Sequence, residues 1–275
     1  MKKLLALILA LVMMLSLAAC GGTQAPANDN SSANAESDLA YITGNGKMII
    51  GYTVYEPMNY TDDSGKFVGF DTEYAEAVCA ELGVDPEFVE INWDTKEIEL
   101  DAKNIDCIWN GFTITEERKQ NIEFTKPYIT NKQVVVIKAE NAEKYTDTAS
   151  LSSANLVAEI ESAGEGAIAD DENLKNANYV AVAKQTDGLL EVKSGTADAV
   201  VLDYTLASAM VGEGTDYADL MIIDGLDLQV EEYGIGFRKG SDAAAKVDEI
   251  TAKLLADGTL DEIAAKYELS AILTK

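Results

Sequence analysis

From Lys47 to the C-terminus, short runs rich in Val, Ile and aromatic side chains alternate with stretches of helical periodicity. This alternation restricts the fold more than any other property of the chain, because strands that take turns with helices build parallel sheets covered on both faces. Lys47–Tyr52 reads as a first strand, 62–66 as a turn, and 71–82 as a helix stopped by Gly83. A strand at 87–91, a helix at 94–102, a strand at 105–109 and a short helix at 115–120 complete one α/β unit. The apolar strand 133–137 opens a second unit, with further strands at 155–160, 178–183 and 197–202 and helices at 162–169, 186–193 and 204–211. A return strand at 232–237 and helices at 242–256 and 260–267, broken by Asp257-Gly258, finish the pattern. Two α/β lobes are implied.

Ahead of that body stands a leader. Met1-Lys2-Lys3 is a positive start, 4–19 is an apolar run too short to span a bilayer comfortably, and Leu17-Ala18-Ala19-Cys20 ends it with small residues and a cysteine. This resembles a lipoprotein signal peptide. The resemblance implies that residues 1–19 are removed and that Cys20 carries a diacylglyceryl group as the new N-terminus. An ordinary secretory signal is the alternative, and either places the mature chain outside the cytoplasm. With the anchor, the location is the outer face of the cell membrane, as on a Gram-positive-type cell. Residues 20–38 hold almost no large apolar side chains and read as a flexible tether.

The net charge is −27, and it becomes −29 without the two leader lysines. Nucleic acid and anionic lipid surfaces are therefore poor partners for the body, while cationic or zwitterionic ligands are mildly favoured. Histidine is absent, which removes the commonest general base and metal ligand. No metal-ligand spacing or phosphate loop stands out, so neither a metal nor a cofactor is expected. Cys79 falls in a helical pattern and Cys107 in a strand-like one; both read as buried core thiols, with a disulfide between them as the lesser alternative.

Only two arginines occur, Arg118 and Arg238. Arg118 lies just inside an expected helix start, after the small-residue turn at Gly111 and beside Thr113, where a guanidinium suits bidentate capture of a carboxylate. Asp203 ends an apolar strand, the usual place for a ligand group in an open α/β sheet. Ser162-Ala163-Gly164-Glu165 follows a strand with Ser at a cap position and Glu three residues on, so its free amides form an anion site. Each also has a plainer role: Thr113 or Ser162 as a helix cap, Arg118 in a surface pair with Glu116 or Glu117, Asp203 as a cap for the helix after it.

Four segments, in order, carry a family resemblance: Pro57 with 65–71 (GKFVGFD), 113–118 (TITEER), 124–128 (FTKPY) and 198–203 (DAVVLD). Together they resemble the extracytoplasmic solute-binding proteins of ABC importers, in the polar amino-acid-binding branch. The resemblance implies a two-lobe, type II periplasmic-binding-protein-like α/β fold with two hinge crossovers and a ligand cleft between the lobes. Mapped onto this chain, lobe one is 41–130 plus 234–275 and lobe two is 131–233. Arg118 would grip the α-carboxylate of an amino acid with help from Thr113 and the Gly111 backbone, and Asp203 would take the α-ammonium.

Tyr55 and Trp93 align with positions that sandwich a ligand's side chain. Tyr52 stands where several basic-amino-acid binders offer an acid. Glu161 stands where glycine is usual and, if inside the cleft, would favour a cationic side chain. The expected partners are a small amino acid and separate permease and ATPase subunits, and the protein is expected to be a monomer and not an enzyme. The alternatives are a sensory ligand-binding module, or a dehydratase-like enzyme on the same scaffold that asks Glu161 or Glu56 for a protonated acid.

Overall fold

The computed structural model describes residues 37–275. The leader, Cys20 and the tether as far as residue 36 lie outside the described residues. A tether running through residue 38 is slightly too long: Ser37 already caps α1 (Asp38–Asn45), its hydroxyl accepting from the Ala40 N–H and donating to Asp242. Asp38 is buried there and paired with Arg238 at 2.9 Å. A buried carboxylate needs such a partner, and Arg238 is buried too, bonding Asp106 at 3.1 Å and the carbonyls of Leu100 and Ile105.

The first half of the fold holds β1 (Lys47–Tyr52), a small hairpin of β2 (Tyr60–Thr61) and β3 (Phe67–Val68), and α2 (Phe70–Leu82). It continues with β4 (Asp85–Glu90), α3 (Lys96–Asp101), β5 (Cys107–Thr113) and β6 (Ile122–Phe124). Helix α2 buries Phe70, Tyr74, Ala75, Val78 and Cys79 along one stripe and ends at Gly83 in the left-handed conformation. The short helix expected at 115–120 is only a single 3-10 turn, Arg118–Gln120, held by the Thr115 hydroxyl accepting from the Arg118 N–H. Cys79 and Cys107 are free and buried.

β7 (Ile129–Lys138) leads into the second half, made of β8 (Asn155–Glu159), α4 (Ala163–Asp170), β9 (Asn178–Val182), α5 (Gln185–Ser194), β10 (Ala199–Asp203) and α6 (Tyr204–Met210). β11 (Leu220–Arg238) returns, and α7 (Ala243–Ala256) and α8 (Thr259–Lys266) close the chain. β11 starts well before the expected 232. Its first part is masked in the sequence by Asp224-Gly225 and Asp227, and the ladder to β7 slips register between Ile222 and Gln229.

Instead of two separate parallel sheets, the strands form one mixed sheet in the order β4-β1-β5-β11-β7-β10-β8-β9, with β6 also on β11. Each flank is parallel, β4-β1-β5 on one side and β10-β8-β9 on the other. The two long antiparallel strands β7 and β11 lie between the flanks and belong to both. The C-terminal ends of β5, β8 and β10 therefore converge on the middle of the molecule.

Candidate functional site

At that convergence Trp93, Asn110, Gly111, Thr113, Arg118, Glu159, Ser162, Ala163, Gln185 and Asp203 surround one small space. Seven of the residues singled out from the sequence are thus brought together: Gly111, Thr113 and Arg118 at the end of β5, Trp93 before α3, Ser162 and Ala163 at the start of α4, and Asp203 at the end of β10.

The turn is built from the backbone up. Gly111 has φ +58, and a β-carbon there would lie 2.7 Å from the Tyr55 ring and 3.0 Å from that of Tyr233, so only glycine fits. Its N–H donates to the buried Asp71 carboxylate at 2.8 Å, which also accepts from the Tyr128 hydroxyl. Burial raises the Asp71 carboxyl to about 7 against these two donors. Asn110 ties the turn to β1 by accepting from the Thr53 N–H and donating to the Thr53 carbonyl.

Arg118 is aimed by its surroundings. One guanidinium N–H donates to the Thr113 carbonyl at 2.9 Å, another to the Glu161 carbonyl at 3.0 Å, and the guanidinium carbon lies 4.7 Å from the centre of the Phe112 ring. Its remaining N–H groups stay available for a ligand. Trp93 packs edge-on against Phe112 and leaves its indole N–H unpartnered.

Asp203 faces the same space from the other half. It accepts from the side-chain amides of Asn131 (2.9 Å), Gln133 (2.7 Å) and Gln185 (2.5 Å), three donors that stabilise a carboxylate. Glu231 of β11 shares the Asn131 and Gln133 amides. Burial first, and the neighbouring Asp203 next, push its carboxyl up. Ser162 caps α4 by accepting from the Glu165 N–H.

Two residues are placed otherwise than expected. Tyr55 is seated in the core beneath the Gly111 turn, its hydroxyl 2.7 Å from that of Tyr233, and does not line the space. A buried hydroxyl keeps its partner, and this one finds it on β11. Glu161 turns its side chain outward while its carbonyl accepts from both Arg118 and Lys96. It adopts φ 57, a conformation rare for such a residue, and that rotation carries the carbonyl inward. Neither Glu161 nor Glu56 lines the space with its carboxylate.

Several polar residues of the site were not singled out from the sequence: Glu159, Gln185, Asn131, Gln133 and Glu231. Glu159 is 3% exposed, and its Oε1 has no hydrogen-bond partner. Burial, and then Asp203, raise its carboxyl to about 8.

The family model described as "Bacterial extracellular solute-binding proteins, family 3" matches residues 48–270. The ABC transporter glutamine-binding protein GlnH of Bacillus subtilis (strain 168) is 27% identical over 275 residues, covering 97% of each chain. Among solved structures, Tv2483 bound to L-arginine superposes with a TM-score of 0.80 at 28% identity, over 86% of this chain and 96% of that one. The ancestral amino acid-binding protein AncCDT-1, a precursor of cyclohexadienyl dehydratase, gives 0.75 at 30% identity, over 84% and 99%.

Proposed function

Because the chain belongs to family 3 of the bacterial extracellular solute-binding proteins, we propose that it captures a polar L-amino acid between its two lobes and delivers it to an ABC-type permease. The observation that carries this reading is that Arg118 and Asp203 address one enclosed space from opposite flanks of the sheet, each already oriented by hydrogen bonds.

In this reading Arg118 binds the α-carboxylate, with the Thr113 hydroxyl, the Ala163 amide and the backbone of Gly111 beside it, the Gly111 N–H itself being held by Asp71. Asp203 binds the α-ammonium, and Trp93 walls the ligand side chain. A zwitterion that needs both lobes stabilises only the closed form, so its differential affinity sets the population shift. The lobes run over 41–130 plus 234–275 and over 131–233, with β7 and β11 as the crossovers. No covalent step is asked of the site. Binding accounts for the groups present, and the protein should leave prephenate unchanged in a product assay. Cys20 is the lipid anchor in the same reading; metabolic labelling with a palmitate analogue should mark the protein and miss Cys20→Ala.

The test is calorimetric titration of protein stripped of carried-over ligand, against single L-amino acids at about 1 mM. A ligand of micromolar affinity should also add about 4 kcal/mol to stability and move the thermal midpoint by roughly ten degrees. Arg118→Ala and Asp203→Asn should each abolish that shift. No shift with any amino acid sinks the reading.

A further inference from the structure

Once Arg118 and Asp203 are assigned to the two ends of the zwitterion, the enclosed space still contains a group without a counterpart. Glu159 ends β8, lines the space, is 3% exposed and has an unpartnered Oε1. Of the nearby donors, the Gln185 amide is spent on Asp203 and Lys96 directs two N–H groups to the carbonyls of Trp93 and Glu161, while the Trp93 indole N–H is, like Glu159 Oε1, without a partner. A buried carboxyl left without a donor is costly, and the deficit is relieved when a ligand brings one.

A second observation points the same way. The approach to the space is a wider cavity bordered by Asp94, Glu97, Glu117, Glu161, Glu165 and Asp170. The two cations that border it, Lys96 and Arg118, have donors turned inward onto carbonyls. Such an entrance concentrates cations and steers them inward, and it repels acidic ligands.

We propose that Glu159 is the residue that selects the ligand's side chain, and that the ligand is an amino acid whose side chain ends in an ammonium or guanidinium. This assignment rests on the amino-acid cleft proposed above. Tyr52 lies instead in an aromatic group with Phe67 and Phe88.

The charged groups that act on Glu159 are Asp203, Lys96, Asp187 and Lys184. Among them its carboxyl, raised to about 8, is protonated at neutral pH in the empty protein. A cationic side chain would displace that proton to solvent and pair with the carboxylate. The proton is conserved: it leaves Glu159 for the buffer as the cation arrives.

The experiment compares L-arginine with its neutral isostere L-citrulline by calorimetry at pH 6, 7 and 8, in buffers of different ionisation enthalpy. Arginine should bind at least about a hundredfold more tightly than citrulline. At pH 7 it should release close to one more proton than citrulline does; the difference cancels any proton from Glu231, which both ligands disturb alike. Glu159→Gln, nearly isosteric, should erase most of the preference and the extra proton while leaving citrulline affinity within a few-fold. Raised salt should slow arginine association more than citrulline association. Equal affinities for the pair, or an unchanged preference in Glu159→Gln, overturn the assignment. Tight binding of a neutral amino acid such as glutamine in preference to arginine, lysine and ornithine overturns it too, but leaves the cleft reading intact. No binding of any amino acid overturns the cleft reading and the assignment with it.

Discussion

Gly111 shows how much of a binding turn can hang on one missing side chain. With φ +58 and two tyrosine rings where a β-carbon would go, Gly111→Ala carries both backbone strain and overpacking. The expected cost is about 2–3 kcal/mol, read as a lower urea midpoint together with lost ligand affinity. The Asp71 carboxyl beneath it gives a pH signature. Its folded value, about 7, lies above the ordinary carboxylate value of 3.8. The folded state therefore holds the proton more tightly, and stability present below pH 4 is lost as pH rises toward 7. Across that window the loss is about 1.4 kcal/mol per pH unit. Asp71→Asn should flatten the slope of unfolding free energy against pH; an unchanged slope would show that Asp71 is ionised in the fold throughout. At this scale the sequence was legible where a residue belonged to a motif. Gly111, Thr113 and Arg118 fall within one short segment, and Asp203 and Ser162 each follow a strand end. Glu159 follows an apolar run, yet lies two residues short of Glu161, the acid that drew attention. Nothing in the spacing says that the nearer glutamate points inward and the farther one outward, because that depends on the left-handed turn at Glu161.

Among the elements, the alternation of strands and helices located β1, α2, β8, α4, β10 and α7 to within a few residues. What it could not show was the sharing of strands. β11 runs for 19 residues, and its ladder to β7 joins the two flanks into one sheet. Its solvated stretch carries Asp224 and Asp227, which read as loop in isolation. α1 was hidden for another reason: eight residues are too few to form a helix alone, and this one is held by tertiary contacts. Its clamp is Arg238, paired with Asp38 and Asp106. Arg238→Ala leaves two buried carboxylates unpaired and should cost about 3–5 kcal/mol, with amide hydrogen exchange rising first in α1. A loss confined to a few tenths of a kcal/mol would mean that α1 docks through its apolar face alone.

For the whole molecule, closure is secured by few direct contacts between the flanks. The Lys96 bond to the Glu161 carbonyl is part-buried, whereas the Arg118 bond to the same carbonyl and the Lys184–Glu90 pair at 2.6 Å are exposed. An exposed pair of this kind contributes at most about 1 kcal/mol and is screened by salt. Lys184→Ala should therefore weaken ligand binding by less than about fivefold, and raising the salt should remove the difference. A loss of two orders of magnitude would instead make this pair the principal latch.

The seat of α1 has a mechanical corollary. The described chain begins at Ser37, whose hydroxyl grips Asp242, and one residue later Asp38 grips Arg238. All of these anchoring points belong to the half of the fold that carries Arg118. Any tug arriving along the preceding residues enters through that half, at an ion pair whose arginine ends the crossover strand β11. The opposite half, with Asp203 and Glu159, carries none of these anchoring points. With the anchor proposed above, a load on the chain would reach the ligand only through the half that carries Arg118 and the crossover strands β7 and β11.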